Sequence, residues 1–227
     1  MAFLLDSVIP WGRSFEEYVR MFDLTEDDLD LGIVSCGDGP ASFNCQMYAQ
    51  GRRVVSCDPI YRFSAEQLRI QIDASYDKVM TEIHKNKNNF VWETIKSPEE
   101  LGRVRMEAIE KFLADYEKGR QEGRYLPESL PSLPFRDKEF DLVLCSHFLF
   151  LYTEQLSLDF HKKAVTEMCR VAREIRIFPL IDLDLNKSSY IPTICSILHQ
   201  DGFTVEILEV PYEFQRGGNE MMRICSK

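Results

Sequence analysis

The sequence lacks the long apolar runs and the excess of basic residues that mark two large classes of protein. No stretch approaches the roughly 18 consecutive apolar residues of a membrane-spanning helix, and the opening Met1–Asp6 is too short for the apolar region of a signal peptide. With 27 basic against 37 acidic residues, the formal net charge of −10 argues against a nucleic-acid backbone as the main partner. We therefore expect a cytoplasmic protein that binds neither a membrane nor nucleic acid.

Paired cysteines are also absent. The sequence contains seven cysteines, an odd number, and no two of them have the C-x-x-C spacing of a zinc site. They are scattered through apolar segments, at positions 36, 45, 57, 145, 169, 195 and 225. This pattern predicts reduced thiols, with no disulfide framework and no metal.

The composition is that of an ordinary globular chain. Its 227 residues, 44% apolar and 28% charged, are enough to bury a substantial core. Neither an internal repeat nor a low-complexity linker divides the sequence. We predict one domain over residues 1–227, with a helical insertion at about 62–123.

The sequence is organised around a glycine turn that lies between two apolar strands. The first strand is predicted at 31–36, and the second, at 53–58, ends in Asp58. Gly37 and Gly39 permit positive φ and a close approach of a ligand to the backbone. Asp58 follows Gly39 by 19 residues (58 − 39), where a carboxylate can accept hydrogen bonds from both hydroxyls of a ribose. The pattern predicts an adenosine-containing cofactor across the carboxyl ends of strands one and two.

Two observations disfavour NAD and nucleoside triphosphates as that cofactor. The dinucleotide fingerprint has three glycines spaced G-x-G-x-x-G/A, and Ser42 stands where the third belongs. No lysine that would bind a pyrophosphate follows the turn. A nucleotide-dependent oxidoreductase is therefore a disfavoured alternative.

Three segments, in this order, resemble the class I S-adenosylmethionine-dependent methyltransferases. Cys36–Gly39 matches the later part of the family's glycine motif, Asp58 its ribose-binding acid, and Leu133–Ser146 its passage into the fourth strand. The resemblance covers roughly residues 30–60 and 125–225. It implies a Rossmann-like α/β fold, with a seven-stranded, mostly parallel sheet and helices on both faces. It also implies S-adenosyl-L-methionine as the cofactor.

The resemblance further implies which residues bind that cofactor. The glycine turn would cradle its amino-acid portion, Asp58 would bind the ribose, and Ile60 would pack on the adenine. Ser129 would face the adenine edge, with Glu128 as the alternative. The predicted cofactor-binding residues are Ser35, Cys36, Gly37, Asp38, Gly39, Pro40, Asp58, Pro59, Ile60, Ser129, Leu130 and Ser146.

Two positions depart from the family pattern. The family usually has an acid at the position of Ile33 and a glycine at the position of Ser35. Because that acid commonly helps to hold the cofactor's amino group, the amino-acid end must be bound here by something else, or is bound more weakly. The departures favour the alternative of a non-catalytic cofactor-binding or regulatory protein of the same fold.

His147 is the candidate catalytic residue, because it follows the predicted strand 140–146 at the edge where open α/β sheets bind ligands. An imidazole of ordinary pKa can act as a general base, and a hydrogen-bonded structural histidine is the alternative. The aromatic run 148–152 predicts a wall of the site, with ordinary core packing as its alternative. We predict methyl transfer to an O, N or C atom of a small molecule. The Asn/Asp-Pro-Pro-Tyr signature of amino-group methylation on bases or glutamine is absent.

Two helices are predicted within the insertion. One begins after Ser64 and runs to about Lys85, and the other begins after Ser97 and runs to about Gly119. The loop between them carries the aromatic residues of Phe90–Trp92. Such a segment either covers the site as a lid or wall, or forms the surface of a homodimer.

The remaining elements follow from periodicity and turn signals. A leading helix at 14–22 starts with a capping box, and Gly217-Gly218-Asn219 predicts the turn of a terminal antiparallel hairpin. The other predicted helices lie at 40–50, 158–172 and 189–200, and the other predicted strands at 124–127, 174–179, 203–210 and 221–224.

Overall fold

The computed structural model describes residues 11–226, so the opening segment Met1–Asp6 lies outside the described residues. Seven strands form one sheet in the order β3-β2-β1-β4-β5-β7-β6. They are β1 (Ile33–Cys36), β2 (Val54–Cys57), β3 (Tyr125–Leu126), β4 (Phe140–Ser146), β5 (Ala172–Phe178), β6 (Phe203–Glu209) and β7 (Glu220–Ser226). β7 runs antiparallel to β5 and β6, and the other neighbouring pairs are parallel. The predicted Rossmann-like α/β fold is confirmed.

Seven α-helices surround this sheet in the described part of the chain. They are α1 (Phe15–Met21), α2 (Glu26–Leu29), α3 (Phe43–Ala49), α4 (Ala65–Lys85), α5 (Pro98–Gln121), α6 (Leu158–Val171) and α7 (Ile191–Gln200). Capping boxes at Ser14 and Ser64, and a side-chain cap from Ser97, start α1, α4 and α5 where the sequence predicts. Between residues 11 and 226, no helix is both long and apolar enough to span a bilayer.

The central strands bury side chains on both faces of the sheet. Successive residues of a strand point to opposite faces. Val34 and Val143 accordingly pack in one cluster with residues of α6 and α7, while Ile33 and Leu142 pack in another with residues of α1 and α3. The core therefore has two layers, one on each face of β1 and β4, and a third cluster lies where the two longest helices pack beside β3.

The helix after the glycine turn begins three residues later than the sequence predicts. It starts at Phe43, not at Pro40, because residues 40–42 contact the segment that precedes α1. The Ser42 N–H donates to the Arg13 carbonyl at 3.0 Å. Gly12 approaches so closely that a Cβ there would lie 2.2 Å from the Pro40 carbonyl oxygen. The prediction of a helix at 40–50 is therefore wrong at its start.

The end of α5 also differs from the prediction, because Gly119 serves close packing and does not stop the helix. A Cβ at Gly119 would lie 2.4 Å from the Tyr125 ring, so the glycine lets α5 pass directly over β3. The chain turns instead at Gly123, where φ is +74°. Parallel pairing of β2 with β3 requires a crossover, and α5, which packs against β3 and α3, supplies it.

A buried amide holds α3 to the sheet beneath the glycine turn. The Asn44 side-chain nitrogen lies 3.1 Å from both the Val54 and the Arg124 carbonyl oxygens and 3.0 Å from Ser56 Oγ. Its oxygen accepts a hydrogen bond from Arg124 Nη1 at 2.8 Å. One side chain thus joins a helix to β2 and to the residue that precedes β3.

We expect Asn44→Ala to lower the free energy of unfolding by about 2–3 kcal/mol, because it removes the buried hydrogen bonds that the amide makes with β2 and with Arg124. Urea denaturation monitored by circular dichroism measures the change. The exposed Asn88 provides the matched control, and Asn88→Ala should alter stability by less than about 0.5 kcal/mol. Equal effects of the two substitutions would contradict this account of Asn44.

Candidate functional site

A cavity of about 690 Å³ lies at the carboxyl ends of β1, β2 and β4. This volume is within the ~300–1,000 Å³ range of small-molecule sites. The lining comes from the segment before α1, the glycine turn, the end of β2, α4, the loops after β3 and β4, and the connection from β6 to β7. The cavity is therefore at the sheet edge that the sequence predicts.

The cavity brings together most of the residues that the sequence nominates. The nominated residues that line it are Gly37, Asp38, Gly39, Asp58, Pro59, Ile60, Ser129, Leu130, Ser146 and His147. Ser35 and Cys36 are buried in β1 behind the turn, and Pro40 lies outside the lining. Ser129 lines the cavity and Glu128 does not, which favours Ser129 between the two predicted alternatives.

The glycine turn has the backbone conformation that its sequence predicts. Gly37 and Gly39 have φ values of +71° and +55°. A Cβ at Gly37 would lie 2.8 Å from the Phe148 Cβ, whereas nothing lies within 4 Å of the corresponding position at Gly39. Gly37 therefore serves both the turn and the packing of the loop after β4, and Gly39 leaves the backbone open to a ligand.

Asp58 joins the end of β2 to this turn. Its carboxylate accepts hydrogen bonds from the N–H groups of Gly39, at 2.8 Å, and Ile60, at 2.9 Å. Burial raises the pKa of Asp58 to about 6, although both backbone donors oppose the rise. An ionised carboxylate offers about four acceptor positions, so Asp58 retains capacity for the hydroxyls of a ribose.

The Asp38 carboxylate is engaged mainly by side chains of the protein itself. It accepts hydrogen bonds from the hydroxyls of Tyr18 and Ser35, and from Ser56 at 2.5 Å. Burial raises the pKa of Asp38, and the three donors offset part of this rise. The side chain of Asp38 thus fastens α1, β1 and β2 together, while the residue itself borders the cavity.

His147 adopts a left-handed backbone conformation, with φ of +48°, directly after β4. Its N–H donates to the Phe178 carbonyl at 2.7 Å, and its Nδ1 lies 3.0 Å from the Ser146 hydroxyl. Burial and the positive charges of Arg13 and Arg105 lower the pKa of His147 well below the ordinary value. The imidazole is therefore neutral near pH 7 and can accept a proton.

The helical segment between β2 and β3 forms part of the cavity wall. α4 contributes Val79 and Ile83, and the loop after it contributes Phe90. Trp92 lies outside the lining, where its ring packs against Phe90 with centroids 5.8 Å apart. Of the predicted aromatic run, Phe148, Leu151 and Tyr152 line the cavity, while Phe150 belongs to the core.

Sequence reasoning missed the part of the site that comes from distant segments. Trp11 and Arg13 line the cavity from the chain before α1, and Phe214 and Gln215 line it from the β6–β7 connection. The one sequence signal for Arg13 was its place next to Gly12. The reason for that glycine is its close contact with Pro40, and this contact is visible only in the folded chain.

The cysteines form no disulfide bonds among the described residues. All seven cysteines are free thiols, and burial raises the pKa of Cys57, which lines the cavity. Among residues 11–226, no three His, Cys, Asp or Glu side chains are grouped so as to hold a metal ion.

Comparison with known sequences gives two matches. A family model described as a methyltransferase domain matches residues 97–175. An uncharacterised protein of Methanocaldococcus jannaschii, MJ0045, is 34% identical to this chain over 222 residues, which cover 97% of both proteins. The second match therefore spans nearly the whole chain.

Solved structures similar to this chain include two methyltransferases. One is the magnesium protoporphyrin IX methyltransferase of Synechocystis with bound SAM, at 12% identity and a TM-score of 0.48, covering 94% of this chain and 78% of that one. The other is a SAM-dependent methyltransferase from Aquifex aeolicus, at 15% identity and a TM-score of 0.42, covering 92% and 87%.

The lowered pKa of His147 leads to a measurable expectation. In a sample with ¹⁵N-labelled histidine, the His147 resonances should show no protonation between about pH 6 and 8. Arg13→Met should move the midpoint upward, because it removes one of the two positive charges that oppose protonation. His147→Asn identifies the resonances, and a midpoint near the ordinary value in the unaltered protein would contradict the expectation.

Proposed function

We propose that this chain, which belongs to one family with the Methanocaldococcus jannaschii protein MJ0045, is a class I S-adenosylmethionine-dependent methyltransferase that methylates a small molecule. S-adenosyl-L-methionine is its methyl donor. The observation that carries the proposal is one cavity that joins the glycine turn and Asp58 to an aromatic wall. The acceptor would bind against that wall.

The residues present fit this donor. Gly39 leaves open space beside the turn, and Asp58 retains acceptor capacity at its edge. We propose that Asp58 binds the ribose, that Ile60 packs on the adenine, and that Ser129 faces the adenine edge. The glycine turn would cradle the amino-acid portion, because Gly39 has no side chain that would block its close approach.

Asp38 has a different place in the proposal. Because its carboxylate is engaged by three hydroxyl groups, we propose that it supports the turn from behind. Ser35 takes part in that support through its hydroxyl, which the family's usual glycine would lack. The residue at position 35 therefore stabilises the turn without touching the ligand.

The proposed methyl transfer requires few catalytic groups from the protein. The donor supplies a methyl group already activated by a sulfonium, so the chain has to align the acceptor, exclude water and, where needed, remove a proton. Phe148 and Tyr152 line the cavity next to His147, and the donor's positive charge suits aromatic faces. We propose His147 as the group that accepts the acceptor's proton.

The residues that line the cavity support a small acceptor. Its walls are largely apolar and aromatic, with Trp11, Phe90, Phe160 and Phe214 among the rings. Such a lining suits an aromatic or otherwise apolar molecule that carries an O, N or C nucleophile.

The proposed binding and turnover are tested in two steps. Isothermal titration with S-adenosylmethionine, S-adenosylhomocysteine and NADH should show heat with the two sulfur compounds alone. A metabolite mixture incubated with enzyme and labelled methyl donor should then yield a labelled small molecule. Binding without methylation of any acceptor would favour a regulatory protein of this fold, an alternative that Ile33 in place of the usual acid supports.

Asp58→Asn should weaken S-adenosylhomocysteine binding by at least about tenfold, since hydrogen bonds to a charged group contribute about 1.5–3 kcal/mol. In the unaltered protein, affinity should rise as pH increases through about 6 and then level off, because the ribose hydroxyls favour the ionised carboxylate. The variant should lose this dependence. Titration calorimetry measures both effects, and Asp201→Asn, at an exposed aspartate outside the cavity lining, is the matched control. Similar losses in the two variants would contradict the role of Asp58.

His147→Asn tests the proposed base. Asparagine tolerates positive φ, so the substitution removes the imidazole with little backbone strain. On an identified acceptor we expect kcat to fall about 10²–10⁴-fold, while the affinity for S-adenosylhomocysteine stays the same. The exposed His199, changed to Asn, serves as the control. Full turnover by His147→Asn would exclude the base role.

A further inference from the structure

An arginine pair lies beside the cavity with too few acceptors. Arg13 lines the cavity, and its Nη1 donates to the Trp11 carbonyl at 2.9 Å. Its Nε is buried and has no hydrogen-bond partner among residues 11–226. Arg105 is fully buried, and its Nε and Nη2 also lack a partner within the described chain.

One carboxylate serves both guanidinium groups. Glu17 accepts a hydrogen bond from Arg105 Nη1 and another from the Tyr212 hydroxyl at 2.8 Å. The Arg105 guanidinium, with smaller help from Arg13, lowers the pKa of Glu17 to about 2 against the opposing effect of burial. The three ionised groups therefore leave one positive charge in excess.

The excess charge is expensive where it lies. Burial and the charge of Arg105 lower the pKa of Arg13, which shows that its surroundings oppose the charged form. A buried charge is tolerated when it is paired, and an unsatisfied buried donor costs about 1–3 kcal/mol. Arg13 lines the cavity and its side chain is only half buried, so an anion in the cavity can approach its guanidinium and offset the excess charge.

The backbone of Arg13 is fixed in this place. Its carbonyl accepts a hydrogen bond from the Ser42 N–H at 3.0 Å, and the neighbouring Gly12 packs against Pro40. Arg13 is therefore anchored to the far side of the glycine turn. It also reaches the region of His147, whose pKa its charge lowers.

We propose that Arg13, backed by Arg105, forms an anion subsite that binds a carboxylate group of a ligand in the cavity. This inference rests on the proposed function and names a chemical feature of its ligands. The planar guanidinium fork matches a carboxylate, and a mainly aromatic lining with Arg13 as its lining arginine suits a singly charged anion better than a phosphate. The carboxylate belongs either to the acceptor or to the amino-acid end of the methyl donor, where the family's usual acid is replaced by Ile33.

Two pairs of probes distinguish these sources. S-adenosylhomocysteine carries a carboxylate that 5′-methylthioadenosine lacks, and 4-hydroxybenzoate carries one that neutral 4-hydroxybenzamide lacks. Dissociation constants are measured by calorimetry for the unaltered protein, Arg13→Met and Arg13→Lys. Arg136→Met, at an exposed arginine, is the matched control. The benzoate pair is measured with and without S-adenosylhomocysteine, so it reports on Arg13 even if no nucleoside binds.

If the subsite holds the donor's carboxylate, Arg13→Met should weaken S-adenosylhomocysteine at least about tenfold and leave 5′-methylthioadenosine unchanged. If the subsite holds the acceptor's carboxylate, Arg13→Met should bind both nucleosides as the unaltered protein does. Its preference for 4-hydroxybenzoate over 4-hydroxybenzamide should disappear. Arg13→Lys should retain part of either preference. Neither result depends on turnover.

The thermal midpoint gives a readout that a structural role would not share. Since Arg13 is a half-buried charge whose Nε has no acceptor among residues 11–226, Arg13→Met should leave the ligand-free midpoint unchanged or raise it. The proposal would be overturned if Arg13→Met left the ratio of dissociation constants unchanged within both pairs of probes. Failure of the unaltered protein to bind either nucleoside would instead refute the proposed function, and the benzoate pair would still decide the subsite.

Discussion

The Asp38 carboxylate and its three hydroxyl donors are the contact on which the site depends. A carboxylate buried without donors would be costly, so the chain must bring Ser35, Ser56 and Tyr18 to it. These residues come from β1, β2 and α1. The Tyr18 ring also stacks on Phe43, the first residue of α3, with centroids 4.6 Å apart. A single buried group thus sets the positions of two strands and two helices around the glycine turn.

The contacts of Asp38 position two separate parts of the cavity lining. On one side, the turn is held so that the Gly39 N–H meets Asp58 at the end of β2. On the other side, α1 is held so that the residues just before it pass beneath Pro40 and bring Arg13 to the cavity. The capping box of α1 engages Glu17, which is also the carboxylate that pairs with Arg105. The start of α1, the glycine turn and the Glu17–Arg105 ion pair are therefore connected through shared contacts.

The fold and the position of Asp58 beside the glycine turn were predictable because their signals are local. Strand, glycine turn, strand and acid lie within residues 31–58, and cap residues marked the starts of α1, α4 and α5. The errors arose where tertiary contact decides. Pro40 does not begin a helix because residues 40–42 contact the segment before α1, and Gly119 packs under Tyr125 where a stop was predicted.

The opposite end of the site was not predictable for the same reason. Arg13 and Phe214 are about 200 residues apart in sequence, and no periodicity links them. The direction of the Asp38 side chain was equally hidden, because a Gly-Asp-Gly turn can present its carboxylate to a ligand or to the interior. Two serines and a tyrosine at suitable places in the fold decide between these outcomes. Roles that depend on distant partners require the folded chain.

The distribution of charge along the cavity connects binding to chemistry. Asp58 and Arg13 both line the cavity and carry opposite charges, so a ligand with donors in one part and a carboxylate in another has one favourable orientation. The positive charges of Arg13 and Arg105 also act on His147 and lower its pKa. A carboxylate bound at Arg13 would offset that positive charge and raise the pKa of His147 toward its ordinary value. The imidazole would then become a stronger base only when the subsite is filled, which would couple the proposed proton transfer to the presence of the correct ligand.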